Sequence, residues 1–225
     1  DKYYISLITP ANHEEGVFLL QTISLIKDSI SPQFELSGIH LSITLPDTLK
    51  PNERIQICLQ YQLTIPEGYG VLNYSYRQVN VCDWYAFVPP YQHDSGWMVN
   101  EYHPVGEYLV YDIADYDVNI VQKNENPNLL IVGSVPGEII DTVEGMETTW
   151  HFHAEGLRTF VWSASEQYEK LSQAETPLVV AYVFPEDIEA GWAALSTTIS
   201  AWNLYGAVYG LPKQEQLTLV EADFG

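Results

Sequence analysis

Alternation of apolar and polar positions runs through most of the chain and predicts strands along it. Ile55, Ile57, Leu59, Tyr61, Leu63 and Ile65 interleave with Gln56, Cys58, Gln60, Gln62 and Thr64, the period of a strand with one buried face. Leu41, Ile43 and Leu45 repeat the pattern before Pro46, and Pro51-Asn52 offers turn chemistry, so the two runs are expected to pair as a hairpin. Farther on, Tyr116, Val118 and Ile120 alternate with Asp115, Asp117 and Asn119. A polar loop from Asn124 to Asn128 and a strand from Leu129 to Val132 are expected next. Trp150 and Phe152 oppose His151 and His153, and Phe160 to Trp162 closes the series. Antiparallel strands at this spacing predict a mainly β domain, a sandwich or saddle-shaped sheet.

The texture changes after Ala164. The run from Ser165 to Glu175 is polar and helix-compatible, and Leu178 to Phe184 is apolar almost throughout, as expected of a strand covered on both faces. Ile188, Trp192, Leu195, Ile199 and Trp202 then recur at helical spacing. Pro185 and two acids open this helix, and Gly210 closes it with Pro212 beyond. Leu217 to Val220 follows as a strand. The expected organisation is a β domain over residues 1–164 and the start of a strand-helix-strand α/β domain over residues 165–225.

Composition narrows the partners. Nine basic residues against thirty acidic ones leave a formal charge of −21, a field that repels phosphate backbones and excludes nucleic acid as a partner. A cationic partner, such as the free amino terminus of a peptide, fits that field, and so does plain solubility. Two cysteines, Cys58 and Cys82, are too few for a disulfide scaffold and lack zinc-ribbon spacing. No stretch approaches the roughly twenty apolar residues of a membrane-spanning helix.

Candidate chemistry is sparse. His151-x-His153 puts two imidazoles on one strand face, as in some zinc sites, but no third ligand is identifiable and the face is expected to be exposed. His13-Glu14-Glu15-Gly16-Val17 begins like H-E-x-x-H with Val in place of the second ligand, so it cannot form the helical metal pair. Gly145-Met146-Glu147-Thr148 is expected to be a turn. Asp112, Asp115 and Asp117 are expected to be a solvated face. Asp83-Trp84-Tyr85-Ala86-Phe87-Val88-Pro89-Pro90-Tyr91, with Gly96-Trp97 after it, is either a packed aromatic loop or a surface that stacks on sugars or peptides.

Four stretches together resemble the aminopeptidase N family of zinc metallopeptidases. They are Asp83 to Phe87 with Pro89-Pro90-Tyr91; Tyr111 to Val118; Phe152 to Ser163, which includes Arg158; and Tyr209 to Gly225 with its Pro212-Lys213 pair. The last is similar to the segment that leads into the family's Gly-x-Met-Glu-Asn substrate loop. Ala86, Gly210 and Glu215 depart from the usual residues. The resemblance implies an amino-terminal β domain, with a further strand or two ahead of Asp1, followed by the start of a thermolysin-like catalytic domain.

In that family the β domain caps the active site and supplies a Gln or Glu that holds the substrate's amino terminus. Gln78 is the nearest match, and Tyr85, Phe87 and Tyr91 are the accompanying substrate-side candidates. Zinc is expected in a longer parent protein. H-E-x-x-H is absent from this sequence, so the chain alone is expected to hold no metal or other cofactor and to be inactive, and its open strand edges predict self-association. Two alternatives remain open: a β-sandwich module binding carbohydrate or protein through Trp84, Tyr85, Tyr91 and Trp97, and a noncatalytic scaffold with an aminopeptidase-like fold.

Overall fold

The computed structural model describes residues 2–6, 18–25, 32–68, 70–100, 109–123, 126–143, 146–173, 177–210 and 216–223. In chain order its elements begin with β1 (Lys2–Ser6), β2 (Phe18–Leu25), β3 (Gln33–Ser37), β4 (His40–Thr44) and β5 (Ile57–Leu63). They continue through β6 (Leu72–Tyr74), β7 (Val79–Val81), β8 (Tyr91–Gln92), β9 (Gly96–Trp97), β10 (Ala114–Lys123) and β11 (Leu130–Gly133). Then come β12 (Gly137–Val143), β13 (Glu147–Leu157), β14 (Trp162–Ser165), β15 (Glu169–Gln173) and β16 (Leu178–Val183). A 3-10 turn (Pro185–Asp187), α1 (Ile188–Tyr209) and β17 (Gln216–Val220) complete the order. The mainly β class expected from alternation is the class observed, with strand pairs antiparallel except for one parallel pair and with one helix among the described residues. These elements gather into two compact units, Asp1–Pro66 with Asp83–Ile113, and Glu67–Cys82 with Ala114–Gly225.

In the first unit β4 is the centre of an antiparallel sheet ordered β1-β4-β3, and β2 pairs with β5. Leu41, Ile43 and Leu45 meet Ile23 and Leu25 in the core, with Ile57 and Leu59 packed against them. The alternation read in the sequence is visible in β5, where Ile57, Leu59, Tyr61 and Leu63 are half-buried and the residues between them exposed. The expected hairpin between β4 and β5 does not form. The turn near Pro51 is present, with Glu53 N–H donating to Lys50 O at 3.0 Å and Asn52 at φ 68°. Twelve intervening residues leave β4 free for a nearer partner, however. That partner is β3, joined through Gly38-Ile39 with Gly38 at φ 56° and Ser37 opposite His40, a two-residue connection that favours antiparallel pairing.

Among the described residues the second unit holds three sheets, ordered β10-β13-β12, β11-β14-β7-β6 and β15-β16-β17. Phe152 is 1% exposed and stacks edge-on to the fully buried Phe160, with ring centroids 5.6 Å apart. Its ring fills the space where a side chain at Gly133 or Gly137 would stand, which accounts for both glycines beside this strand.

The last sheet is antiparallel between β15 and β16 and parallel between β16 and β17, with α1 making the crossover. This is the strand-helix-strand unit that periodicity predicts. The polar run after Ser165 is not helical, because five of its residues pair with β16 as the edge strand β15. Helix α1 buries Gly191, Leu195 and Ile199 at fourfold spacing against Val179, Ala181 and Val183. Trp192 turns away and is 45% exposed. Gly191 is the point of closest approach, since a methyl there would meet Leu171 Cδ1 at 2.7 Å and Val183 Cγ1 at 2.9 Å. Gly210, at φ 88°, ends the helix. No described helix is long and apolar enough to cross a membrane.

Candidate functional site

Gln78 follows a tight turn in which Ser75 N–H donates to Gln78 O at 2.8 Å, and it leads directly into β7. The side chain is 3% exposed, so its amide needs partners inside the protein. It has four. Nε2 donates to the Glu221 carbonyl at 2.5 Å and to the Tyr168 hydroxyl. Oε1 accepts from Asn80 Nδ2 at 2.9 Å and from the Asp223 backbone N–H at 2.8 Å. Both donors and both lone pairs of the amide are thereby used. The network extends through Ser163, whose Oγ lies 2.7 Å from the Tyr168 hydroxyl and donates to the Val79 carbonyl at 2.9 Å.

Arg77 holds the same segment from the other side. Its guanidinium lies 3.6 Å above the Phe184 ring, a stacked cation–π arrangement. The same group pairs with Glu186 at 2.5 Å and with Asp223 at 3.4 Å. The Glu221 carboxylate accepts the Phe184 N–H at 2.7 Å. Burial raises the Glu221 pKa, and the neighbouring Asp187 carboxyl pushes it the same way, against the Phe184 N–H and the Arg77 charge. Burial also raises the Tyr168 pKa, opposed by hydrogen bonds from Ser163 and Gln78.

Two concavities flank this network. A cavity of about 180 Å³, mostly apolar, lies between Asn80, Cys82, Gly133, Trp162, Thr218 and Ala222. A shallow groove of about 780 Å³ runs along α1 and β17 past Ala190, Ala194, Thr197, Thr218 and Glu221. Its lining includes Val183 and Val220 at the carboxyl ends of two parallel strands, where α/β sheets commonly present ligand-binding groups.

Tyr85, Phe87 and Tyr91 lie in the first unit and have separate partners. Tyr85 meets Trp84 edge-on at 5.6 Å, Phe87 lies 4.2 Å from Tyr111, and Tyr91 meets Trp97 edge-on at 5.2 Å. The segment is anchored rather than loose. Tyr61 donates to the Trp84 carbonyl at 3.1 Å, and Tyr111 to Asp83 Oδ1 at 2.5 Å. Asp83 itself sits at φ 52°, a conformation uncommon for a residue with a side chain. Tyr85 and Phe87 are half-buried, whereas Tyr91 is 60% exposed.

His151 and His153 lie on the outer face of β13, opposite Trp150 and Phe152, and neither Cys58 nor Cys82 forms a disulfide. The His13–Val17 stretch, Gly145 and residues 211–215 and 224–225 are outside the described residues. Sequence reasoning named Gln78 as a candidate but did not name its partners Tyr168, Glu221 and Asp223. Only the Pro-Lys segment ahead of β17 hinted that this stretch mattered.

No protein-family model matches the sequence, and no curated protein matches it in sequence. Among solved structures, the chain is similar to an M1 zinc metallopeptidase from Deinococcus radiodurans, with a TM-score of 0.57 at 11% identity over 97% of this chain and 48% of that one. A mutant of that enzyme bound to a Tyr-Ser-Ala substrate gives the same TM-score and identity. A mutant two-domain M1 zinc metallopeptidase bound to L-arginine gives 0.55 at 12% identity. The chain spans about half the length of these structures. At this identity the likeness establishes fold, and the fold matches the amino-terminal β domain of M1 peptidases.

Proposed function

We propose that this chain is the leading part of a zinc-dependent, aminopeptidase-like metallopeptidase. Residues 1–164 act as the β domain that caps the active site and helps bind the peptide's amino terminus. Residues 165–225 begin the catalytic domain; this division falls inside the second compact unit. The observation that carries the reading is the β16-α1-β17 unit, whose exit at Glu221 to Asp223 is held by Gln78 and Arg77. A chain leaving β17 from a fixed point is what a substrate loop beyond it requires.

Gln78, Tyr85, Phe87 and Tyr91 are the proposed substrate-side residues. For Gln78 the role demands an exchange, because a peptide ammonium can be accepted only if Asn80 or Asp223 gives up its hydrogen bond to Oε1. The zinc belongs to the proposed parent, where it would activate water and polarise the scissile carbonyl. In this reading its ligands come from residues outside this chain. H-E-x-x-H is absent from the sequence, and among the described residues no three His, Cys, Asp or Glu side chains stand around one point.

The test is to express the complete gene product and this chain side by side on aminoacyl fluorogenic substrates. The expected result is chelator-sensitive release of an amino-terminal residue by the complete product and none by residues 1–225. Activity in the chain alone, or a complete product without a metal motif, overturns the proposal. One observation favours the rival binding module: Tyr91 and Trp97 form an exposed and half-exposed aromatic pair on the β8–β9 hairpin, a geometry suited to stacking on a sugar.

A further inference from the structure

We propose that Tyr168 is a positioning residue for Gln78. Through a closed cycle of hydrogen bonds with Ser163 and Asn80 it holds the amide in one direction, oxygen towards Asp223 and nitrogen towards Glu221, so that this position takes glutamine and excludes an ionised glutamate. The cycle stands by itself. Its use, presenting the amide oxygen to a peptide's ammonium, rests on the peptidase reading.

Every proton in the cycle is assigned by groups whose polarity is fixed. The Asp223 N–H can only donate, and it meets Gln78 Oε1 at 2.8 Å; the Glu221 carbonyl can only accept, and it meets Nε2 at 2.5 Å. Asn80 Nδ2 also donates to Oε1, at 2.9 Å, so Asn80 turns its own oxygen to Ser163 Oγ at 2.8 Å. An amide oxygen carries no proton. Ser163 therefore gives its single hydroxyl proton to Asn80 Oδ1, shared with the Val79 carbonyl at 2.9 Å. Only lone pairs remain on Ser163 for Tyr168, 2.7 Å away, and the phenol must donate to them. The phenol oxygen then accepts from Gln78 Nε2 and closes the cycle. All four side chains are neutral, because a phenol ionises only near pH 10 and burial raises Tyr168 further.

The fold supplies three of the members from one ladder and the fourth from outside it. Ser163 of β14 stands opposite Asn80 of β7, two residues after Gln78. Tyr168, one residue ahead of β15, reaches in with its ring stacked on Phe184 at 5.6 Å. Gln78, Asn80 and Ser163 are 3%, 8% and 5% exposed, so a broken link leaves buried polar groups unpaired. This decides which bond yields to a ligand. Asn80 is a link in the cycle, whereas the Asp223 N–H is a single bond from outside it. An ammonium takes the place of Asp223, and the cycle keeps Oε1 facing it. A carboxylate at position 78 would instead set an oxygen against the Glu221 carbonyl, acceptor to acceptor.

Two measurements on this chain test the cycle. In Tyr168→Phe, which keeps the aromatic stack, the Gln78 side-chain amide proton aimed at residue 168 should exchange at least about tenfold faster by NMR. Tyr182→Phe removes a neighbouring phenol hydroxyl outside the cycle and should change nothing. Gln78→Glu should be tolerated at low pH, where the acid can donate to Glu221, and should lose stability relative to the parent chain as pH rises through its raised pKa. Each unit of that rise makes unfolding about tenfold more favourable at neutral pH. The other charged or titratable groups of the cluster, Arg77, Tyr168, Glu186, Asp187, Glu221 and Asp223, are common to both proteins, so the difference isolates position 78.

The complete gene product adds the kinetic readout. Tyr168→Phe should raise KM for an aminoacyl substrate about tenfold with kcat nearly unchanged, the pattern of lost substrate binding. Unaltered Gln78 exchange in Tyr168→Phe, or a Gln78→Glu stability difference that is flat with pH, overturns the positioning role whether or not the complete product is a peptidase. A complete product without peptidase activity sinks the peptidase reading and leaves the cycle to be decided by exchange and pH. An active product whose KM ignores Tyr168→Phe overturns the link to substrate and reduces Tyr168 to a structural residue.

Discussion

Asp223 donates its backbone N–H to the side-chain oxygen of Gln78 at 2.8 Å, joining positions 145 residues apart in the sequence. The bond is one of four that the buried amide makes, and it fixes where the chain goes after β17. Replacing Gln78 with Ala leaves Asp223 N–H, Asn80 and Tyr168 without this partner, and a buried polar group stripped of its bond costs about 1–3 kcal/mol. Gln78→Ala is therefore expected to lower stability by about 2–4 kcal/mol in urea unfolding, and to speed amide exchange at residue 223. Unchanged exchange there would sink the view of Gln78 as a clasp on this segment.

Glu221 carries a pH dependence. Burial and Asp187 raise its folded-state pKa, so the folded chain binds this proton more tightly than the unfolded chain. The stability it contributes is complete below the ordinary carboxyl value and is lost as pH rises through the raised one. Glu221→Gln keeps an oxygen for the Phe184 N–H but does not titrate. Relative to the parent chain, the variant should gain stability as pH climbs through that window. A stability difference that is flat with pH would show that Glu221 does not titrate differently on folding.

At Gly191 the sign of the effect is informative. In an exposed helix Gly→Ala gains about 1 kcal/mol, but here the methyl meets Leu171 and Val183 within 3 Å. Gly191→Ala should instead lose about 1–3 kcal/mol through overpacking. A higher thermal midpoint for the variant would mean that α1 does not approach its sheet so closely.

Tyr91 separates the proposed function from its rival. Because it is 60% exposed and paired edge-on with Trp97, Tyr91→Ala should cost no more than about 1.5 kcal/mol. The peptidase reading expects oligosaccharides to leave tryptophan fluorescence unchanged in both proteins. Saturable quenching in the parent chain that disappears in Tyr91→Ala would favour a carbohydrate-binding module.

The amino-acid sequence by itself determined the mainly β class, the one-sided burial of β5, the opposite faces of β13 and the βαβ ending. Each of these follows from a local period, two in a strand and near four in α1, which nearest neighbours along the chain express without further help. Tertiary structure decided which strands pair. β4 took β3 across a two-residue turn instead of β5, and the polar run at Glu169–Gln173 became a strand because β16 offered it an edge. It also decided how the candidate groups are partnered. Gln78 was visible as a residue, yet its saturation by Tyr168, Asn80, Glu221 and Asp223 depends on contacts up to 145 residues apart. Periodicity is a property of adjacent residues, whereas hydrogen-bond satisfaction is a property of residues that only folding brings together.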